Sequence, residues 1–154
     1  MQLNTCLANL EDRPFLFQLY IDTRKSEVAS WGWNEDQVEM FMRMQFDAQT
    51  RSYSSHPGSL KEEIIFYKGE RIGRMLTREM DEMLMIVDIA LLSDFRNRGF
   101  GTELISRYQK YAMDKGISIE LHVLSVNPAY KLYERLGFVL KGDTPLYLTM
   151  EWIP

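Results

Sequence analysis

Two amphipathic helices are predicted in the first third of the chain. The first runs from Arg13 to Glu27, after a capping Asp12 and with Pro14 in its first turn. The second runs from Asn34 to Tyr53, with Asn34 as its cap. Its apolar residues form two stripes: Val38, Phe41, Met42 and Phe46 on one, Met40, Met44 and Ala48 on the other. Two stripes predict a helix packed between two layers or, alternatively, a helix with one side in a substrate pocket.

A change of period after these helices predicts strands. The passage from Ser52 to Ser59 reads as a loop, and Glu62 to Leu92 reads as three strands. Turns at Lys68-Gly69-Glu70 and Met80-Asp81-Glu82 separate them. The third strand, Met83 to Leu92, is apolar at nearly every position, which is typical of a strand covered on both faces.

The last third of the chain alternates helices and strands. A helix with one apolar face, built from Leu104, Ile105, Tyr108, Tyr111 and Ala112, ends at Gly116. The remaining elements follow in order: a strand from Ile117 to Val123, a short helix from an Asn127-Pro128 cap to Leu136, and strands from Phe138 to Lys141 and from Leu146 to Trp152. The order predicts a mixed α/β layer in which one helix crosses over between neighbouring strands.

Composition narrows the class of protein. With 154 residues, 45% of them hydrophobic, the chain can build one domain, residues 1–154, but not two. The net charge of -4 excludes a general nucleic-acid or membrane-surface binder, so an anionic ligand needs a local positive feature. A single cysteine, Cys6, excludes a disulfide framework and a cysteine-built zinc site, and no metal is expected. Because neither a secretory signal nor a membrane-spanning segment is recognisable, we expect a soluble cytoplasmic protein.

The turn between the third strand and the following helix predicts an anion site. A buried strand that ends in a glycine-containing turn and opens a helix directs unpaired N–H groups to one point. Gly99 and Gly101 allow a ligand close to the backbone, and Arg96 and Arg98 add positive charge. These features favour a phosphate or pyrophosphate, with a plain structural turn as the alternative. Leu104 stands where a dinucleotide fingerprint needs its third glycine, and the Walker-type Gly-Lys-Ser/Thr is absent.

Two spaced motifs carry a family resemblance. The segment Arg96-Asn97-Arg98-Gly99-Phe100-Gly101 resembles the Gln/Arg-x-x-Gly-x-Gly/Ala fingerprint of the GNAT superfamily of N-acetyltransferases. Asn127 to Phe138, "NPAYKLYERLGF", resembles the second signature of that family. The resemblance covers residues 60–152 and implies an α/β (α+β) fold: a single mixed, mostly antiparallel sheet of six to seven strands flanked by about four helices. A homodimer is common in such folds.

The resemblance also implies an activity and a site. It implies transfer of an acetyl group from acetyl-coenzyme A to a primary amine of a small molecule or peptide, by direct attack in a ternary complex. Tyr133 matches the tyrosine that protonates the departing thiolate or, in some members of the family, only positions the coenzyme. The residues that correspond to coenzyme-binding positions are Ile89, Ala90, Leu91, Arg96, Asn97, Arg98, Gly99, Phe100, Gly101, Thr102, Asn127 and Tyr133. Among these, the amides from Arg98 to Thr102 would hold the pyrophosphate, with Arg96 at the entrance.

The general base is less well defined. A lysine-like amine with a pKa near 10.4 is neutral in roughly one molecule per thousand at pH 7, so the site needs a proton acceptor. Asp88, within an apolar run, is either that base or a structural, ion-paired acid. Met85 stands where some family members carry a glutamate base, and Glu82 and Glu27 are weaker candidates.

Several residues have a structural and a functional interpretation. His122 is a sheet-surface histidine or a catalyst, and Tyr130 is expected to pack within its helix. Trp31 and Trp33 either pack at a helix start or form a wall of the acceptor site, where an aromatic face would hold a cationic amine. For the whole chain, the alternative to an enzyme is a non-catalytic module that binds acyl-coenzyme A as a sensor or in recruitment.

Overall fold

The computed structural model describes residues 2–55 and 60–154, without the side chains of residues 53–55. The seven strands are β1 (Leu3–Leu7), β2 (Leu60–Tyr67), β3 (Glu70–Glu79), β4 (Met83–Leu91), β5 (Ser118–Leu124), β6 (Val139–Asp143) and β7 (Tyr147–Trp152). The four α-helices are α1 (Arg13–Val28), α2 (Glu35–Ser55), α3 (Phe100–Lys115) and α4 (Tyr130–Arg135).

All seven strands belong to one sheet. Their order is β1-β2-β3-β4-β5-β7-β6, and every neighbouring pair except β4 and β5 is antiparallel. The parallel pair is joined by α3, which is the predicted crossover helix. The predicted fold class, a mixed and mostly antiparallel sheet flanked by helices, is therefore confirmed. Sequence analysis did not locate β1, whose five residues pair with β2 some sixty positions later, Leu3 opposite Tyr67.

Each face of the sheet has its own hydrophobic core. On one face, α3 packs on the central strands through residues such as Leu104, Ile105 and Ala112. On the other face, Leu16 and Phe17 of α1 and Phe46 of α2 pack on β2. The two cores place α3 and the α1–α2 pair on opposite sides of β4, so the end of β4 lies between them.

The predicted two-layer packing of α2 is wrong. Met42 and Phe46 are buried against α1 and the sheet, but Met40 and Met44 are 69% and 65% exposed. A helix that covers one face of a single sheet buries one stripe only, and the second apolar stripe faces solvent. Among the described side chains of α2, only Gln49 lines the large cleft described below, so the methionine stripe does not line that cleft.

The helix termini confirm some predicted caps and correct others. Asn34 caps α2, since its Oδ1 accepts a hydrogen bond from the Gln37 N–H at 2.8 Å. Gly116 ends α3 with a positive φ of 69°. Asp12 precedes α1 but makes no side-chain cap; its carboxylate instead accepts from the Asn9 N–H and Arg71. The Asn127 side chain bonds the Ala129 N–H, and α4 begins only at Tyr130.

The three strands predicted for the middle of the chain are confirmed, but fully buried residues occur only in the first half of the third strand. β2, β3 and β4 are separated by turns at the predicted positions. In β4, Leu84 and Ile86 are buried, whereas the residues from Val87 onward are half-buried because they border a cleft. The loop predicted from Ser52 to Ser59 lies largely outside the described residues, and its first part belongs to α2. Within the described residues, no helix has the length and apolar character needed to cross a membrane.

Candidate functional site

The cleft begins where two parallel strands separate. β4 and β5 pair only from Met83 opposite Ser118 to Ile86 opposite Leu121. Beyond that point β4 continues to Leu91 without a partner on this side, while β5 continues to Leu124 paired only with β7. The backbone of β4 after Ile86 therefore has hydrogen-bonding groups that can pair with an extended ligand in the manner of a strand.

The first turn of α3 opens into this cleft. Its first backbone hydrogen bond runs from the Glu103 N–H to the Gly99 carbonyl at 3.1 Å. The N–H groups of Phe100, Gly101 and Thr102 thus have no backbone acceptor among the described residues. Asn97 and Gly99 both have positive φ, 59° and 86°, which turns the chain sharply before the helix. The three free donors and the helix dipole make this end an anion-binding position.

The cleft itself has a volume of about 1050 Å³. Its walls are α1, the end of β4, the first turn of α3 and the segment that contains α4. The charged lining residues are Arg24, Arg74, Arg96, Lys131 and Arg135 against Glu27 and Asp88. An acidic protein thus has a predominantly basic cleft, the local positive feature that the net charge requires.

Ten of the twelve predicted coenzyme-binding residues line the cleft: Ile89, Ala90, Leu91, Arg96, Asn97, Gly99, Gly101, Thr102, Asn127 and Tyr133. The other two, Arg98 and Phe100, do not. Phe100 is buried in the core below α3. The Arg98 guanidinium lies 5.1 Å from the Phe95 ring centre and donates to the Asp94 carbonyl, outside the cleft lining. Only the main chain of these two residues belongs to the turn.

Arg96 is held at the cleft by two contacts. Its Nε donates to the Leu91 carbonyl at 3.0 Å, and an Nη2 lies 3.4 Å from Oδ2 of Asp22. Asp22, on α1, also accepts from the Ser93 N–H and hydroxyl at 2.8 Å. Burial opposes ionisation of Asp22, but hydrogen bonds from Lys25 and Ser93 outweigh it and lower the Asp22 pKa. Asp22 therefore ties α1 to the β4–α3 turn, a role that no sequence motif indicated.

Tyr133 lies on the inner side of α4. Its ring packs against Phe138, with centroids 5.8 Å apart, and its hydroxyl has no hydrogen-bond partner among the described residues. Burial first, and the charge of Asp88 second, raise the pKa of Tyr133 above its ordinary value of 10.0. The phenol is therefore neutral at physiological pH and able to donate a proton into the cleft.

Asp88 lines the same cleft and is paired with an arginine. Oδ2 of Asp88 accepts from Nη2 of Arg74 at 2.6 Å. Arg74 is 7% exposed, its Nη1 lies 3.7 Å from Glu62, and its buried Nε has no partner among the described residues. The ion-paired interpretation of Asp88 thus matches the geometry, while its half-exposed carboxylate still faces the cleft. Arg74 was missed because nothing local marks an arginine in a strand as the partner of an acid fourteen residues later.

Of the two weaker candidates for the general base, one lies at the cleft and the other does not. Glu27 lines the cleft from α1 and is exposed. Glu82 lies in the turn before β4, six residues from Asp88, which is roughly 20 Å along a strand. Glu82 therefore lies too far from the cleft to be the base. Met85 pairs with Arg78 and Glu120 in the sheet and does not line the cleft either.

The structural interpretations hold for the remaining candidates. His122 is exposed on β5, with Nδ1 2.9 Å from the Thr149 hydroxyl, and does not line the cleft. Trp31 and Trp33 stack edge-on with each other and with Phe41 at centroid distances of 5.1 to 5.5 Å. Neither tryptophan lines the cleft, so they pack at the start of α2 as expected and do not form an acceptor wall there. Tyr130 packs partly buried against the core.

Comparisons with known proteins identify a family and several solved structures that resemble this chain. The model of the Acetyltransferase (GNAT) family matches residues 14–138. A comparison with curated proteins gave no match. The chain is similar in structure to the PaiA N-acetyltransferase of Thermoplasma acidophilum in complex with coenzyme A, with 18% identity, full coverage of both chains and a TM-score of 0.74.

Two further solved structures show the same fold. Spermidine N-acetyltransferase of Vibrio cholerae, in complex with coenzyme A and spermine, is 21% identical over 99% of this chain and 95% of its own, with a TM-score of 0.70. The ribosomal-protein-S18-alanine N-acetyltransferase of Escherichia coli is 16% identical over 98% of this chain and 93% of its own, with a TM-score of 0.67. At these identities the likeness establishes the fold.

Proposed function

The chain belongs to the Acetyltransferase (GNAT) family, and we propose that it transfers an acetyl group from acetyl-coenzyme A to a primary amine by direct attack in a ternary complex. The observation that carries this proposal is the meeting of three features in one cleft. The free N–H groups of the α3 turn, the unpaired end of β4 and the Tyr133 phenol all border it. Together they fit an extended ligand with an anionic end and a reactive end.

The coenzyme fits the cleft by its chemistry. The amides of Arg98 to Thr102 would bind the pyrophosphate, and Arg96 lies beside them, where its Nε donates to the Leu91 carbonyl. The main chain of Ile89, Ala90 and Leu91 would pair with the amides of the pantetheine arm. Asn127 uses its Oδ1 to accept from the Ala129 N–H, and its Nδ2 donors would contact the same arm or the thiol end. Two coenzyme A complexes among the structural neighbours support this assignment.

Tyr133 is proposed as the general acid. When the amine takes the acetyl group, the bond between the acetyl carbon and sulfur breaks and the coenzyme leaves as a thiolate. A phenol whose pKa is raised by burial and by Asp88 keeps its proton until a basic leaving group forms beside it. Since the Tyr133 hydroxyl has no partner among the described residues, its proton is free to be donated to that group.

Asp88 is proposed as the acceptor of the amine proton, directly or through water. Arg74 fixes Oδ2 of Asp88, while Oδ1 has no hydrogen-bond partner among the described residues and Asp88 lines the cleft. An ionised carboxylate there attracts an ammonium group and takes one proton from it, which leaves a neutral amine with the lone pair that attacks the thioester carbonyl. Glu27 is the alternative acceptor on the opposite wall. Both acids favour a cationic acceptor, and the neighbour that acts on spermidine is consistent with such a substrate.

The test of this function is turnover. The purified protein is incubated with acetyl-coenzyme A and a panel of amines: a polyamine, a lysine-containing peptide, a peptide with a free N-terminus and an amino alcohol. Release of the coenzyme thiol is measured. We expect turnover with at least one amine, strongly reduced in Tyr133→Phe and kept in Tyr130→Phe, while both variants bind acetyl-coenzyme A. Binding without turnover on any amine would contradict an enzyme and identify a non-catalytic acyl-coenzyme A module.

A further inference from the structure

The outer face of α4 adjoins the proposed pyrophosphate site. A Cβ placed on Gly101, in the first turn of α3, would lie 3.5 Å from Cδ2 of Leu132 in α4. Lys131 precedes Leu132 and Arg135 follows it along the chain, and both line the cleft. Four residues apart, they occupy one side of the helix, about 6 Å from each other along its axis. The side chain of Tyr133 points inward from the same helix.

These two cations differ from the other basic residues of the cleft. Arg74 is paired with Asp88 and Glu62. Arg96 is paired with Asp22 and the Leu91 carbonyl, and the Arg24 guanidinium stacks on the Tyr20 ring at 3.8 Å. Lys131 and Arg135 have no acid or other hydrogen-bond partner among the described residues, and both are exposed. The rim beside the pyrophosphate site therefore carries two positive charges that nothing in the described chain balances.

We propose that Lys131 and Arg135 form a subsite for a phosphate monoester, the 3′-phosphate on the ribose of coenzyme A. The proposal rests on the proposed function of the cleft. The pyrophosphate would have the α3 amides and Arg96 as partners, so the two rim cations are available to a further anion. In coenzyme A that anion is the 3′-phosphate, which lies beyond the pyrophosphate and at the opposite end from the thiol. Arg135 supplies a planar donor fork and Lys131 a point charge, a pair suited to a dianionic phosphate.

The consequence is selectivity between coenzymes. Dephospho-coenzyme A has the same thiol, pantetheine and pyrophosphate but a ribose hydroxyl in place of the 3′-phosphate. An exposed ion pair adds only modestly to affinity, so two such pairs give an affinity difference of about tenfold between the two coenzymes. Because the rim is exposed, that difference shrinks as salt rises.

The experiment is calorimetric titration of the full chain with coenzyme A and with dephospho-coenzyme A at low salt. The proteins are the wild type, Lys131→Gln, Arg135→Gln, the double variant and Lys110→Gln. Lys110, on the exposed side of α3, does not line the cleft, so its variant matches the change in net charge without touching the rim. We expect the wild type and Lys110→Gln to prefer coenzyme A by about tenfold, each single variant by about threefold, and the double variant to bind both equally.

Three outcomes would overturn the subsite. Equal wild-type affinity for the two coenzymes would show that the 3′-phosphate is not bound. An equal loss for both coenzymes in the double variant would place the two cations on the pyrophosphate. Selectivity that persists in the double variant would assign the phosphate to other residues. If the wild type bound neither coenzyme, the proposed function itself would fail, a result that differs from all three.

Discussion

Arg74 in β3 donates from Nη2 to Oδ2 of Asp88 in β4, at 2.6 Å. The arginine is almost fully buried, whereas the Asp88 side chain is 38% exposed at the cleft. A buried guanidinium needs acidic partners, and Glu62 supplies a more distant one at 3.7 Å. The buried Arg74 side chain thus holds the Asp88 carboxylate in one orientation. The ion pair therefore fixes the position from which Asp88 would accept a proton in the proposed reaction.

Asp88→Asn is expected to lower kcat by at least 100-fold, since it removes the proposed proton acceptor and keeps the side chain's size. The Kd for acetyl-coenzyme A is expected to stay within a factor of about two to three. Steady-state kinetics and calorimetry measure the two effects. Glu62→Gln is the matched control, because it removes the other acid near Arg74 without altering the cleft lining. Equal loss of stability and activity in both variants would show that Asp88 serves only the ion pair.

The pH dependence of kcat tests Tyr133. Its raised pKa keeps the phenol protonated up to at least its ordinary value of 10.0. We therefore expect kcat to rise with pH as the amine deprotonates, with no decline below pH 10 from loss of the acid. The contrary result would be a decline of the wild-type kcat centred well below pH 10 that is absent from the residual activity of Tyr133→Phe. It would mean that the phenol ionises more readily than its burial allows.

Gly73→Ala is expected to disturb the coenzyme side of β4. A Cβ at Gly73 would lie 2.3 Å from the Ala90 carbonyl oxygen and 2.8 Å from Cδ2 of Leu91. β4 must shift, which we expect to cost about 1–3 kcal/mol of unfolding free energy and to weaken acetyl-coenzyme A binding. Urea unfolding and calorimetry measure both. Gly142→Ala, where a Cβ meets no atom within 4 Å, should change neither, and similar behaviour of the two variants would refute the role of close approach.

Asp12 links stability to pH at the start of α1. The hydrogen bond from the Asn9 N–H, helped by Arg71, lowers the pKa of this buried carboxyl below 3.8 despite its burial. Its stabilisation is therefore complete above pH 3.8 and is lost as pH falls through the lower folded-state pKa. Asp12→Asn should reduce the unfolding free energy at pH 7 by about 1–3 kcal/mol, with a difference from wild type that narrows below pH 3.8. Urea unfolding at pH 7, 5 and 3 measures it.

The control for Asp12 is Glu11→Gln, its exposed neighbour, which should leave the unfolding free energy nearly unchanged at every pH. A difference between wild type and Asp12→Asn that stays constant from pH 7 to pH 3 would contradict the assigned ionisation.

Local patterns predicted the parts of the site that depend on the backbone. The glycine-containing turn at Gly99 and Gly101, the crossover helix and the strand before it all follow from period and turn residues within about twenty positions. Those features alone placed the β4 end and the α3 amides at one edge of the sheet. β1 was not located because five residues with one buried position carry almost no periodic signal.

Side-chain pairing across the fold was not predictable in the same way. The Arg74–Asp88 pair depends on the register of β3 and β4, which shifts at a bulge between Leu76 and Thr77. Arg96 and Arg98 diverge because Asn97 between them has a positive φ, so one lies in the cleft and the other on the Phe95 ring. Asp22 meets Ser93 only because α1 crosses the end of β4. Each depends on contacts between segments far apart in sequence.

The central claim is that the turn at Gly99 binds the pyrophosphate of acetyl-coenzyme A, and calorimetric titration with acetyl-coenzyme A tests it most directly. The proteins are the wild type, Gly99→Glu and Gly32→Glu. Both glycines have positive φ, 86° and 72°, so the two variants share backbone strain and added charge, but Gly32 lies outside the cleft. The account predicts micromolar binding by the wild type and Gly32→Glu and none by Gly99→Glu. Absence of binding by the wild type, or unchanged binding by Gly99→Glu, would contradict it.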